Sequence, residues 1–381
     1  MIKKVSITYI LVLIIFSIFS YFFVDNNLPY IKPIFSGFIF SHKIITTIIY
    51  IMIVSLFYTF YIVLIRFIHE GKITYNSVKR LVISSTVLLF FSYPAILSYD
   101  IFNYLLTAKV LVYYKENPYL IMPIEFYHEP FLIFTRAANK IALYGPVWTG
   151  LTALPFSLSF GNFFLAVLSF KLLVAFFYLA LIFIMWKFTK NLFAVSLFAL
   201  NPLVLTETFI SGHNDIVMMF FAIFSYYLIS KKKILLGFIF LMLSIGIKYA
   251  TILLLPIELF LIWKTFRYKE VNWEHIFSLS FFVMLLALLF APIREEIYPW
   301  YGVWFLVFLP FLSKRKKLLK FSFAFSFGLL LSYVPYMAFG SYSGLTPYLK
   351  TMLIFLPCLL LLLYMIFFKL LWRKGRVYLP F

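Results

Sequence analysis

The chain has 381 residues, 64% hydrophobic and 23% aromatic, with only 12% charged; 33 Lys and Arg stand against 13 Asp and Glu, a net charge of +20. Ordinary soluble domains carry about 25% charged residues and about half apolar ones, which excludes a soluble globular protein, a disordered chain and a water-soluble nucleic-acid binder. The composition is that of an all-α polytopic membrane protein, and at about 20 residues per crossing the length accommodates a bundle of about 12 transmembrane helices.

In chain order, candidate spans cover about 5–23, 44–66, 81–98, 146–160, 163–186, 192–210, 215–230, 234–246, 249–263, 276–292, 301–313, 320–339 and 348–370. The first follows Lys3-Lys4 and lacks a small-residue cleavage site, so it is expected to be a retained span rather than a leader. Residues 99–145 form the longest polar stretch, an extracytoplasmic loop whose aromatic residues alternate with Lys109, Lys115, Arg136 and Lys140, as in interfacial helices. With the C-terminal helices of 311–381 the whole chain, 1–381, reads as one transmembrane domain. A single cysteine, Cys358, excludes a disulfide framework or thiolate metal site.

Charge sets the expected topology. Basic clusters at Lys3-Lys4, Arg66 to Arg80, Lys187 and Lys190, Lys231 to Lys233, Lys264 to Lys269, Lys314 to Lys320 and Arg373 to Arg376 mark cytoplasmic loops. Asp25, Asp100, Glu116, Glu125, Glu129, Asp215, Glu295 and Glu296 fall between them, on the outer side. Both ends carry cytoplasmic-type clusters, so the number of crossings is even and one candidate span is re-entrant or partial. The surplus falls between Asp100 and Asp215, in 146–160 or 192–210, which are short and interrupted by Pro155 and Pro202. Irregular backbone at membrane depth is tolerated only where protein or a water-filled cavity surrounds it, which directs attention to this region as the lining of a working cavity. Residues 234–263 would make a helix of about 45 Å, too long for a ~30 Å core. A break at Gly246-Ile247-Lys248-Tyr249 resolves this and places Lys248 toward the outer face.

Ionisable groups at membrane depth cost roughly 2.5–3.5 kcal/mol each on insertion scales, so each invites a functional reading. Asp100, in Ser98-Tyr99-Asp100-Ile101-Phe102-Asn103-Tyr104, is either a helix cap or a general base at the mouth of an outward cavity. His213, Asn214 and Asp215 precede an apolar run, where they are either an N-cap or ligands for a divalent ion or sugar hydroxyls; two ligands alone do not make a dedicated metal site. Glu207 lies in the irregular 192–210 segment. Lys248 is either a snorkelling lysine or a point charge for a lipid phosphate. Tyr144-Gly145-Pro146-Val147-Trp148 and Tyr298-Pro299-Trp300-Tyr301-Gly302-Val303-Trp304 are aromatic clusters that suit an interfacial belt or sugar stacking.

Tyr99-Asp100-Ile101-Phe102-Asn103-Tyr104, then Asn117-Pro118-Tyr119 and Tyr144-Gly145-Pro146, resemble the first extracytoplasmic loop of GT-C superfamily glycosyltransferases, in particular bacterial polyprenol-phosphate-mannose-dependent α-mannosyltransferases. Asn201-Pro202-Leu203 with Gly212-His213-Asn214-Asp215, Gly246 to Tyr249, and Pro299-Trp300-Tyr301 are similar to further signatures of that family, in the same order over roughly 90–310. Two departures accompany the likeness. The acids following Asp100 come only at Glu116, Glu125 and Glu129, and Glu116 stands where a small residue often precedes Asn-Pro-Tyr.

The resemblance implies a GT-C-like bundle that transfers a hexose, mannose by likeness, from a polyprenyl-phosphate donor to a hydroxyl of a glycan or glycolipid acceptor. The active site would lie on the extracytoplasmic face of the plasma membrane. Inversion at the anomeric carbon needs one base and a stabilised leaving phosphate. It implies Asp100 as the base, Lys248 and Arg294 on the donor phosphate, and His213, Asn214, Asp215, Tyr104, Asn117, Tyr144, Trp300 and Tyr301 around the sugar or acceptor. No cofactor is assigned, a divalent cation such as Mg2+ or Mn2+ being left open, and no nucleic acid is a partner. Rival readings are a flippase or transporter of a lipid-linked glycan, and a lipid-linked glycan polymerase. Transporters tend to carry internal repeats, and none is visible here.

Overall fold

The computed structural model describes residues 2–23, 41–94, 97–267, 270–293 and 295–373, with side chains described through 367. Among these residues it is helical throughout, without strands. Arg294 and Asp25 lie outside the described residues, so the expected phosphate role of Arg294 has no geometry here.

Among the described residues seven helices are long and apolar enough to cross a membrane: Ile2–Phe23, Lys43–His69, Phe163–Thr189, Tyr249–Phe266, Trp273–Ile293, Lys316–Phe339 and Thr346–Phe367. A bent pair, Leu192–Ala199 with Pro202–Ile210, makes an eighth if counted as one span, and Asp215–Ser230 and Ile234–Ile245 are shorter apolar helices. The chain is thus a multi-pass membrane protein. Two candidate spans take a different form. Residues 301–313 contain only the five-residue helix Gly302–Leu306 and the 3-10 turn Leu309–Leu312, enclosed by protein, because Pro310 and tightly packed aromatics leave no continuous helix. The third span starts earlier than expected, at Tyr75, where Thr74 caps it, and ends at Phe90. Asp100 therefore begins the next helix rather than closing that span.

The bent pair forms the centre of the bundle. Helix α1 (Ile2–Ser20), α2 (Lys43–His69), α3 (Tyr75–Phe90), α4 (Asp100–Val112), α5 (Pro146–Ser157) and α6 (Phe163–Thr189) precede it. Helices α7 (Leu192–Ala199) and α8 (Pro202–Leu205) meet at a 52° bend, and every residue from 194 to 219 is buried. Pro202 has no N–H to continue the ladder, and Asn201 caps α8 by accepting from Leu203 N at 3.0 Å. The bend frees carbonyls that lipid could not satisfy. Three tyrosines from surrounding helices answer them: Tyr61 Oη donates to Leu197 O at 2.7 Å, Tyr178 Oη to Ala199 O at 2.5 Å and Tyr9 Oη to Leu200 O at 3.4 Å. Lys171 of α6 does the same for α3, its Nζ donating to Phe90 O at 3.0 Å and to Ser92 O at the helix C-terminus.

The polar loop after α4 is tied down by a buried ion pair. Lys109 Nζ sits 2.7 Å from Glu129 Oε1, and Glu129 also accepts from Tyr114 Oη at 2.7 Å and Phe131 N at 2.9 Å. Removing one member of a buried pair leaves an uncompensated charge, at a cost of about 3–5 kcal/mol. Glu129→Ala is accordingly expected to lower thermal stability by that order and to expose the 113–145 loop to limited proteolysis. An unchanged melting temperature would contradict the anchoring role.

Candidate active site

The site lies where α4, the bent centre, the start of α9 (Asp215–Ser230) and the break between α10 (Ile234–Ile245) and the following 3-10 turn (Tyr249–Leu254) converge with the Tyr298–Trp304 segment. Asp100 is the first residue of α4, its backbone N–H donating to Ser98 Oγ at 3.2 Å, and the helix N-terminus favours its negative charge. Tyr144 Oη donates to Asp100 Oδ2 at 2.9 Å, and Asn103 Nδ2 lies 3.5 Å from Oδ1. Its side chain keeps 22% exposure, whereas the nearby carboxylates of Asp215 and Glu207 have none. Of these three acids only Asp100 is open to solvent. Burial raises its pKa above the usual carboxylate range; Tyr144, Lys248 and Asn103 pull it down, and Asp215 pushes it up.

Tyr144 reaches Asp100 because of a close backbone contact. Gly145 N donates to Ile247 O at 3.0 Å and Val147 N to Gly246 O at 2.9 Å, so the start of α5 is laced to the α10 break. A Cβ on Gly145 would stand 2.2 Å from Gly246 O, a backbone atom that cannot swing aside. Gly145→Ala should therefore part the two segments, destabilising the protein by more than about 2 kcal/mol and disordering Tyr144 and Lys248 together. Thermal unfolding of the variant checks this, and a wild-type-like melting temperature would show that the segments move independently.

The break presents Lys248, whose Nζ lies 2.9 Å and 3.1 Å from the two carboxylate oxygens of Asp215. Trp304 Nε1 donates to Asp215 Oδ1 at 2.5 Å. The rings of Tyr144, Tyr301 and Trp304 surround the ammonium at 5.7, 5.2 and 5.9 Å, within cation–π range. Asp215 is not an N-cap acting on its own helix. It is the buried counter-ion of Lys248, and Asn214, at the cap position, makes no capping hydrogen bond.

His213 is placed by two irregularities in sequence. The π-helical turn Thr206–Ile210 widens the chain, and Gly212, at φ +71°, turns it in the left-handed region where a side chain would be strained and would press on Ile101. The imidazole then lies between two carboxylates, Nδ1 3.6 Å from Asp100 Oδ2 and Nε2 3.4 Å from Glu207 Oε2. It stacks on Trp300 at 4.0 Å, and Trp300 stacks in turn on Tyr298 at 4.5 Å. Burial, then Lys248, holds the His213 pKa well below its ordinary value.

Several expected sugar contacts sit one layer deeper than the sequence suggests. Tyr104 is buried behind Tyr144, its ring 4.8 Å away, and also packs on Trp148. His213, Asn214 and Asp215 are likewise buried beneath Asp100 and Lys248. Trp300 covers the imidazole, and Tyr301 donates to Glu295 Oε2 at 3.0 Å. Asn117 stands apart, its Oδ1 accepting from Tyr119 N at 3.0 Å, and lines a 420 Å3 cavity with Lys115, Tyr119, Pro146 and Thr149. Tyr119 Oη donates to Tyr144 O at 2.8 Å, which links that cavity to the Asp100 cluster. Tyr333, whose Oη donates to Glu207 at 3.1 Å, and Trp304 as the partner of Asp215 carry no local signal in the residues around them. Among the described residues no group of three or more His, Cys, Asp or Glu side chains is arranged to hold a metal ion.

No curated protein and no solved structure matches the chain. Residues 9–265 match the family described as alpha-(1->6)-mannopyranosyltransferase, N-terminal domain. That match covers about two thirds of the sequence, and the chain therefore belongs to the α-(1→6)-mannopyranosyltransferase family as a multi-pass membrane mannosyltransferase.

Proposed function

We propose that this mannosyltransferase takes mannose from a polyprenyl-phosphate donor and transfers it, with inversion, to a hydroxyl of a glycan or glycolipid on the extracytoplasmic face of the plasma membrane. The observation that carries the reading is the pairing, in one cluster, of a partly exposed carboxylate with a lysine held beside it. Asp100 takes the proton of the acceptor hydroxyl while the hydroxyl oxygen attacks the anomeric carbon. Lys248, aimed by Asp215 and its aromatic box, meets the phosphate as it leaves with the electron pair of the broken C–O bond. A β-linked donor then gives an α-linked product, in keeping with the family's α-(1→6) description. Asn117 and the cavity beside it serve the acceptor, and Tyr144 holds the base.

The distribution of charge supports the outward face. The cluster lies at the Asp215 end of α9, and Lys231 to Lys233 follow its other end. Sixteen residues separate them by about 24 Å, most of a hydrocarbon core, with the basic end cytoplasmic. Purified protein in proteoliposomes, given synthetic polyprenyl-phosphate-mannose and a mannoside acceptor, should release polyprenyl phosphate and form an α-mannoside. Movement of intact lipid without any product would instead establish a flippase.

A further inference from the structure

We propose that Tyr342 and Arg136 form an acceptor subsite, which binds a second sugar of a mannoside chain beside the sugar whose hydroxyl Asp100 deprotonates. The inference rests on the reading of the protein as a mannosyltransferase with Asp100 as its base. Tyr342 stands on the short turn between the helix Val334–Phe339 and the final helix, which starts at Thr346. Both flanks of that turn are fixed at the site. On one flank Tyr333 Oη donates to Glu207, the neighbour of His213, at 3.1 Å, and Tyr336 follows one helical turn later on the same face. On the other, Lys350 pairs with Glu296 and lies 5.0 Å over the ring of Tyr298, which stacks on Trp300. The turn therefore runs along the rim of the cluster. Electrostatic neighbours of the Tyr342 hydroxyl there include Tyr336, Arg136 and Tyr99, the residue that precedes Asp100.

The turn holds its tyrosine in a fixed pose. Gly340 and Gly344, at φ +69° and +70°, take the left-handed conformation that a side chain would strain. Lys43 Nζ donates to Phe339 O at 3.4 Å, Ser343 N to Ser341 Oγ at 3.1 Å, and Thr346 Oγ1 to Ser341 O at 2.8 Å. The Tyr342 ring stacks on Tyr336, with centroids 4.0 Å apart and planes at 16°, yet the residue keeps 67% exposure. A ring already ordered and still open loses little entropy when a ligand covers it. Arg136 completes the surface. Its guanidinium lies 4.6 Å over the ring of Tyr99. Its backbone N–H donates at 3.3 Å to Asn103 Oδ1, and the amide nitrogen of Asn103 reaches Asp100. A pyranose presents an apolar C–H face and a rim of hydroxyls, and a fixed aromatic face beside a planar guanidinium matches both. A tyrosine that only anchors the membrane interface needs neither the paired left-handed glycines nor the cation beside it. The turn lies outside residues 9–265, the part that matches the family, so it gives the chain an acceptor choice of its own.

The test uses the full chain in proteoliposomes with synthetic polyprenyl-phosphate-mannose and two acceptors, methyl α-mannoside and an α-(1→6)-linked trimannoside. The wild type should show the lower acceptor KM with the trimannoside. Tyr342→Ala should shrink that advantage about 3- to 10-fold, through acceptor KM rather than kcat or donor KM. Tyr342→Phe keeps the ring and should stay within about twofold of wild type. Arg136→Leu should shrink the advantage by a similar factor, because the sugar hydroxyls lose their donors. An advantage left intact in Tyr342→Ala would make the ring an interfacial anchor and overturn the inference, as would equal KM values for the two acceptors in the wild type. If Tyr342→Ala does not fold, an intact advantage in Arg136→Leu overturns it instead. Product formation separates the two levels. An α-mannoside formed on both acceptors without these shifts removes only the subsite, whereas no mannoside on either acceptor removes the transferase reading on which it rests.

Discussion

Asp100→Asn should lower kcat by roughly 10²–10⁴-fold while leaving folding and donor KM nearly unchanged. The amide keeps the shape and can still accept from Tyr144, whose hydroxyl lies 2.9 Å from Oδ2, so the loss reports the missing base rather than a collapsed site. The pH dependence carries the same information. Burial raises the Asp100 pKa, with Asp215 adding to it, against the opposing pull of Tyr144, Lys248 and Asn103. A base works only when ionised, so the acid limb of kcat/KM should lie above the pH range of an exposed aspartate, with activity lost as pH falls through it. Steady-state transfer from polyprenyl-phosphate-mannose, measured across pH with a circular-dichroism melt on each variant, decides the matter. Turnover by Asp100→Asn close to wild type would end the assignment.

Asp215→Ala should have the largest effect on stability. Asp215 is fully buried and takes both the Lys248 ammonium and the Trp304 indole N–H, so its removal strands a cation and a donor in a site enclosed by protein. Breaking such a pair costs about 3–5 kcal/mol. Lys248→Ala strands the opposite charge and should cost a similar amount. It should also weaken donor binding by about 1.5–3 kcal/mol, the worth of a hydrogen bond to a charged group, or about 10- to 150-fold in donor KM. Removing both residues together should be less damaging than the two losses added, by more than about 1 kcal/mol. Thermal unfolding in detergent for the two single variants and the double variant closes the cycle, and additivity within about 0.5 kcal/mol would show that the pair does not act as a unit.

Parts of this arrangement are plain in the residues themselves. Gly246 to Lys248 announces a break because a 30-residue apolar run flanked by lysines cannot be one helix in a ~30 Å core. The break is there, with Lys248 at its tip. Pro202 announces the bend between α7 and α8 for an equally local reason, the missing N–H. Asp100 stands out because an acid beside long apolar runs is expensive. The partnership of Asp215 with Lys248 is not legible in this way. The two lie 33 positions apart, and a helix-leading Asp looks like a cap until the fold brings a cation to it. The same holds for Glu129, which looks like one more loop acid until Lys109 is placed beneath it.

The sequence alone determined that this protein lives in a membrane, that the chain breaks at Pro202 and at Gly246 to Lys248, and that Asp100 and Lys248 are unusual charges. Those properties follow from composition, charge and short-range backbone chemistry, which act locally along the chain. Only the tertiary structure decided which acid is open and which are buried, that Asp215 serves Lys248, and that His213 sits between Asp100 and Glu207 beneath Trp300. These depend on the packing of α4, the bent centre, α9 and the Trp300 segment around one point. Burial and pairing of a charge arise from neighbours remote in sequence, and nothing in the local pattern encodes them.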